Sequence, residues 1–154
     1  DTLWVSGGSG AFRRSIWDKL GGLDEIYNPF YWEDIDLSYR ALKSGYITLF
    51  EKSSVVRHEH DEGIIKKKYQ PARIKRIVYR NQFIFAWKNS DFGTLISHLF
   101  WLPYHLLTAI FSKDFSLIFG FILALGRLPR IINSRKRARK HFIKSDKEIT
   151  VSIQ

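Results

Sequence analysis

The chain has no cysteine and no methionine in 154 residues. Without cysteine there is no disulfide scaffold, no cysteine-ligated zinc site and no thiol nucleophile, and a reducing compartment is consistent with that absence. Without methionine there is no initiator residue. The chain starts at Asp1, so the expectation is a piece of a longer reading frame or a processed product. The N-terminus has no basic segment followed by an apolar one, which excludes a signal-peptide pattern there. There is no internal repeat, and biased composition is confined to Lys66–Lys68 and Arg135–Lys140. What is present argues for a folded protein: 45% of residues are hydrophobic and 16% aromatic, enough to build a core and to exclude wholesale disorder.

The net charge of +10 points towards phosphates, nucleic acid or an anionic membrane surface, but it is unevenly distributed. Residues 1–62 carry 7 basic and 11 acidic side chains, a net of −4. Residues 63–90 carry 8 basic and no acidic ones, and 127–154 carry 9 basic and 2 acidic. Between these basic stretches, Phe92 to Ser112 has no charged residue. An acidic front is thus followed by a basic segment, an apolar block and a basic tail.

Periodicity and turn residues predict short strands at Leu3–Val5, Ala11–Arg14, Tyr46–Phe50 and Ser54–His58. Between the first two, Ser6-Gly7-Gly8-Ser9-Gly10 reads as a flexible loop. A short helix is expected from an N-cap at Ser15, with Asp18 completing an approximate capping box, to a stop at Gly21-Gly22. A second is expected from about Trp32 to Ser44, with an Asp36–Arg40 pair at i, i+4 and Gly45 as its stop. Pro71 opens a third, running to about Asn89, with Ile74, Ile77, Val78 and Ile84 inward and Arg73, Arg76 and Arg80 outward. The 21 residues Phe92–Ser112 have the length of a transmembrane helix, roughly 20 residues, although Pro103, His98 and His105 interrupt them. Phe115–Gly126 is a second apolar run, too short to span alone. Basic residues lie outside both ends, which by the positive-inside rule puts both on the cytoplasmic side. A re-entrant or interfacial hairpin is therefore favoured over one clean span. Two core helices of a soluble bundle are the plainer alternative.

Polar chemistry concentrates at Trp32-Glu33-Asp34-Ile35-Asp36. Acids in a first helical turn interact well with the helix dipole, which alone explains many of them. Here a Gly/Ser loop lies upstream and His58-Glu59-His60-Asp61-Glu62 downstream. A carboxylate beside a metal and an acceptor hydroxyl is what general-base catalysis needs. On a strand, His58 and His60 would point to one face as a metal-ligand pair. Gly7, Gly8 and Gly10 would permit close backbone approach to a ligand, but they form neither a dinucleotide fingerprint nor a P-loop. Asp34-Ile35-Asp36 formally matches a DxD metal motif. It sits at a helix start rather than after an apolar strand and is not read as one.

In order and spacing, these motifs resemble the C-terminal half of the catalytic domain of family 2 glycosyltransferases, the inverting GT-A class. Ser6–Arg14 is similar to the family's acceptor loop and following "RR" strand, and Leu20-Gly21-Gly22-Leu23-Asp24-Glu25 to its "LGGFDE" turn. Tyr31–Arg40 is similar to its "EDxDLxxR" helix, and Lys43–Tyr46 with Val55–His58 to the strand and "V-x-H" that follow. The resemblance covers about residues 3–62. More loosely, Arg80-Asn81 and Trp87-Lys88-Asn89, with the apolar helices after them, resemble the tail of membrane-associated bacterial members.

The resemblance implies an α/β fold, the C-terminal part of a GT-A domain followed by apolar and basic helices. Residues 1–62 would be that catalytic part, 63–90 a basic linker helix, and 91–154 membrane-associated helices with a basic tail. Asp34 would be the general base, and His58 would help hold a divalent metal, Mg or Mn, on the nucleotide diphosphate. Gly7, Gly8, Ser9, Trp32, Glu33, Asp36 and Arg40 would shape the sugar and acceptor pocket, with Trp32 stacking on a sugar and Arg40 restraining Asp36. The implied partners are a nucleotide-sugar donor, a glycan or lipid-linked acceptor and an anionic membrane surface at the cytoplasmic face of the bacterial inner membrane, with no nucleic acid. In the family the nucleotide-binding strands and the metal-ligating DxD lie in an N-terminal half. The isolated chain is therefore expected to bind sugar nucleotide poorly and not to turn over. The rival reading is a non-enzymatic module, either a basic membrane anchor or a nucleic-acid binder using the stretches 64–90 and 127–147.

Overall fold

A computed structural model describes residues 2–57 and 64–151. Among these the elements are α1 (Arg14–Leu20), a 3-10 turn (Glu25–Tyr27), α2 (Glu33–Lys43), α3 (Ile64–Lys68), α4 (Pro71–Asn89), α5 (Phe92–Phe111), α6 (Phe115–Leu125), α7 (Leu128–Arg139) and α8 (Asp146–Val151).

The expected α/β fold is corrected here: among the described residues there is no strand and no sheet. A strand exists only through a ladder to a neighbour. Just before the segment 3–5, the Thr2 amide donates to the Thr48 carbonyl at 3.1 Å and the Thr48 hydroxyl donates back to the Thr2 carbonyl, and no ladder continues from that pair. Ile47, Leu49 and Phe50 stay exposed, as does Val55 in the fourth segment. Arg14, the last residue of the second predicted strand, instead opens α1, whose N-cap position is Arg13 rather than Ser15. Asp18 makes no capping box; it pairs with Arg14 at 2.8 Å.

The helices from Trp32 onward follow the sequence more closely. Gly21 and Gly45 end α1 and α2 at φ 77° and 85°, a region glycine enters without a Cβ penalty. Pro71 opens α4, whose buried residues Ile77, Arg80, Asn81, Ile84, Trp87 and Lys88 recur at helical spacing. α4 lies within the stretch read as a basic linker, and α2, α5, α6 and α7 all pack against it. Its apolar side chains join Ile26, Tyr27, Leu102, Ala124 and Ile131 in one core. Arg80, expected outward, is buried, because it points into the carbonyls of the turn beneath α4 rather than to solvent.

α6 approaches α4 closely at Gly120. A Cβ there would meet the Tyr79 Cβ at 2.6 Å and the Arg80 amide nitrogen at 2.9 Å. Gly120→Leu is therefore expected to cost about 1–3 kcal/mol or more by overpacking, read as a melting temperature lower by several degrees. An unchanged melting curve would show that α4 and α6 do not meet this way. At the other end, α8 is tied to α2 and to the α4–α5 junction. The buried Lys43 ammonium reaches Asp91 at 2.6 Å and Asp146 at 2.7 Å, and the two aspartates accept each other's backbone amides.

Candidate active site

The first turn of α2 and the glycine loop come together. The Val5 amide donates to the Ser38 hydroxyl at 2.9 Å, and the Gly7 amide donates to Asp34 Oδ2 at 3.0 Å. Alternate amides of the loop thus meet residues four apart on one face of α2, so the loop runs along that face. Ser38 in turn donates to the Asp34 carbonyl at 2.8 Å. Gly7, Gly8 and Ser9 are exposed, and Asp34 is half-buried with its carboxylate at the loop. A Cβ at Gly7 would sit 3.5 Å from the Asp34 Cβ, so the loop already lies in van der Waals contact with the acid.

Trp32 and Glu33 flank this point differently. Tyr31 and Trp32 have φ of 68° and 78°, left-handed conformations that cost a non-glycine residue of order 1–3 kcal/mol each. Trp32 caps α2 in that conformation, and its ring packs on Phe85 with centroids 5.3 Å apart. Glu33 Oε2 is buried without a hydrogen-bond partner among the described residues. Burial raises the Glu33 carboxyl above its ordinary value; a backbone amide partly offsets this and the Asp34 charge adds to it.

Asp36 and Arg40 are in the core, not at the loop. Asp36 is 0% exposed and accepts four hydrogen bonds: from the Tyr27 hydroxyl (2.8 Å), Arg40 Nε (2.7 Å), Lys88 Nζ (2.9 Å) and Asn89 Nδ2 (2.8 Å). The expected Asp36–Arg40 pair is there, and Arg40 also donates to the Leu20 and Gly22 carbonyls, tying the end of α1 to α2. Lys88 further reaches Asp24 at 2.7 Å, and Asp24 accepts from Ser134 of α7. Two carboxylates and two cations therefore form a buried neutral network, as a low-dielectric interior requires. Burial pushes Asp24 up, but the charge and hydrogen bond of Lys88, with bonds from Ser134 and the Ile26 amide, outweigh it and bring it down to about 2. Asp36 is lowered in the same way: burial opposes, and Lys88 and Arg40 prevail.

Sequence reasoning gave no role to Ser38 or Tyr27, and it read Asn81 and Asn89 only as part of the looser tail resemblance. Ser38 carried a positional signal, one turn beyond Asp34. Asn81 and Arg80 hold the turn before α2 from the α4 side. Burial and the nearby Arg127 charge bring the Arg80 guanidinium down to about 10.

His58, the expected metal ligand, lies outside the described residues, as does His60. Among the described residues no three His, Cys, Asp or Glu side chains form a metal-binding group. A cleft of about 490 Å³ lies between the Asp18–Glu25 turn and the Ser134–His141 end of α7; its lining does not include Asp34.

No protein-family model matches the chain, and no solved structure matches it. It is similar to curated proteins called N-acetylglucosaminyl-diphospho-decaprenol L-rhamnosyltransferase from Mycobacterium tuberculosis, strains CDC 1551 / Oshkosh and ATCC 25618 / H37Rv. Each is 40% identical over 55 residues. The match spans 36% of this chain and 18% of the length of each relative. Over that stretch the chain is a distant partial relative of a glycosyltransferase.

Proposed function

We propose that this chain serves glycosyl transfer, moving a sugar from a nucleotide-sugar donor to a glycan or lipid-linked acceptor with inversion at the anomeric carbon. The observation that carries the reading is the seating of Asp34. Its carboxylate is half-buried at the start of α2, held at 3.0 Å by the amide of an exposed glycine loop. Such a carboxylate can accept the acceptor's hydroxyl proton as that oxygen attacks carbon 1 and the nucleotide diphosphate leaves. The partial match to a rhamnosyltransferase supports the same class. The test is to incubate the full-length gene product with nucleotide sugars and a lipid-linked saccharide and to determine the anomeric configuration of the product. The expected product has the configuration opposite to the donor's; retention would refute the direct displacement.

We also propose attachment to an anionic cytoplasmic leaflet, peripheral or re-entrant. α5 is long and apolar enough to cross a membrane, yet only 11% of its most apolar window is buried. A soluble core helix would be mostly covered. Phe100, Trp101, Leu107 and Phe111 of α5 and Ile122 of α6 all face outward. Exposed Arg130 follows just past the 70° bend between α6 and α7, and each Lys or Arg near an anionic surface contributes about 1 kcal/mol. Flotation is expected with vesicles containing about a third phosphatidylglycerol and to weaken with salt. Failure to float at low salt would refute the attachment. Equal salt-sensitive binding to RNA would favour the nucleic-acid reading instead.

A further inference from the structure

We infer that Asn81, oriented by Arg80, is a positioning residue that sets the Asp34 carboxylate at the glycine loop; the inference rests on the assignment of Asp34 as the base. Asn81 belongs to α4 and is 0% exposed. Its Nδ2 donates to the carbonyls of Tyr27 (2.9 Å), Phe30 (2.9 Å) and Tyr31 (2.8 Å). Its Oδ1 accepts from Arg80 Nε (2.9 Å) and Nη2 (2.8 Å). A flipped amide would set Oδ1 against three carbonyls and the NH2 group against a guanidinium, so Arg80 dictates which end faces the turn. Arg80 Nη2 also donates to the Asn28 carbonyl at 2.7 Å. Four carbonyls between Tyr27 and Tyr31 are thus held from α4.

The clamp ends at two successive left-handed residues. Tyr31 and Trp32 stand at φ 68° and 78°, and Glu33 and Asp34 follow at once. A left-handed pair of large aromatic residues persists only where its surroundings over-determine it. From Asp36 onward α2 is also held by Arg40 and Lys88, with the Tyr27 hydroxyl completing the set on Asp36. Releasing the turn therefore frees the first turn of α2 without detaching the helix. Asp34 then leaves the Gly7 amide, and a displacement of about 1 Å at a reacting group can cost about 10²-fold in rate.

The reporter is the Gly7 amide resonance, because that proton lies on the Asp34 carboxylate. Asn81→Asp keeps the side-chain shape and the contact with Arg80 but removes the donor. Ile84→Ala is the control: it opens the α4 core and lowers stability while leaving the Asn81 and Arg80 hydrogen bonds to the turn in place. In Asn81→Asp the Gly7 amide is expected to move towards the shift of a solvent-exposed glycine. In the full-length gene product kcat should fall about 10–100-fold, with KM for the donor changed less than about threefold. Ile84→Ala should lower the melting temperature while leaving the Gly7 shift and kcat near wild type. If Asn81→Asp does not fold, Arg80→Lys, which frees the Asn81 amide to rotate, should give the same displacement. A folded Asn81→Asp or Arg80→Lys with wild-type Gly7 shift and kcat would overturn the inference. So would an Ile84→Ala variant that moves both equally. Asp34→Asn with full activity would instead remove the base assignment, and the Gly7 shift would still judge the clamp.

Discussion

Asp34→Asn is expected to lower glycosyl transfer about 10²–10⁴-fold, the range that a positioned general base contributes, with the fold retained. The retention follows from the geometry. Asp34 meets the loop through one oxygen, which accepts the Gly7 amide at 3.0 Å, and its other oxygen accepts the Ile35 amide at 2.8 Å. An asparagine of the same shape keeps one of these acceptors and places an NH2 at a half-exposed position, where water satisfies it. The melting temperature should therefore change by no more than a few degrees. A variant that keeps full transfer would show that the proton goes elsewhere. The neighbouring Glu33 is the natural second variant, since its buried oxygen lacks a hydrogen-bond partner among the described residues.

The opposite pattern is expected two residues on. Asp36→Asn should destabilise the protein by about 3–5 kcal/mol, the usual cost of removing one partner from a buried ion pair. At roughly 2–4 °C per kcal/mol for a chain of this size, the melting temperature falls by about 10 °C. The substitution leaves Arg40 and Lys88 facing an amide instead of a carboxylate, and both are buried. Lys88→Met should cost a similar amount by stranding Asp24 and Asp36. The double variant should cost less than the two single losses together, because the residues touch. The same network sets the response to acid. Asp24 and Asp36 are depressed in the folded state, so they stabilise fully above the unfolded carboxylate value near 4. That stability is lost as the pH falls from about 4 through the folded value, about 2 for Asp24. Wild type should show a steep loss of stability over this interval, and Asp36→Asn a shallower one. A mild stability loss with strongly reduced transfer would place Asp36 at the substrate instead.

The difference between these two acids was only partly legible in the sequence. Helical spacing placed Asp36 and Arg40 as neighbours, and their pair is present. It could not show that Lys88 and Asn89, more than fifty positions away, turn that pair into a core feature. Burial there depends on how α4 packs against α2, a long-range contact with no local pattern. The same limit explains Arg80. Read on α4 alone, a charged residue at that position belongs to solvent, and only the carbonyls of the Tyr27–Asn28 turn make it an inside residue. The boundaries of α4, by contrast, were readable from Pro71 and the apolar period, because those signals are local. The predicted strands failed for the complementary reason: alternation marks a segment able to pair, while a strand requires a neighbour, and among the described residues Leu3–Val5 and Tyr46–Phe50 have none beyond the contact of Thr2 with Thr48. The resemblance assigned Gly7 and Asp34 to one pocket, but nothing in the sequence showed the paired amides on Asp34 and Ser38 that join them.

The most direct measurement is the initial rate of sugar transfer from a nucleotide-sugar donor by the full-length gene product, compared between wild type and Asp34→Asn at equal folded concentration. Transfer by wild type, and a fall of at least about 10²-fold in the variant with an unchanged melting temperature, is the predicted result. Equal rates in the two proteins would contradict the assignment of Asp34 as the base, and no transfer by wild type with any nucleotide sugar would contradict glycosyl transfer itself.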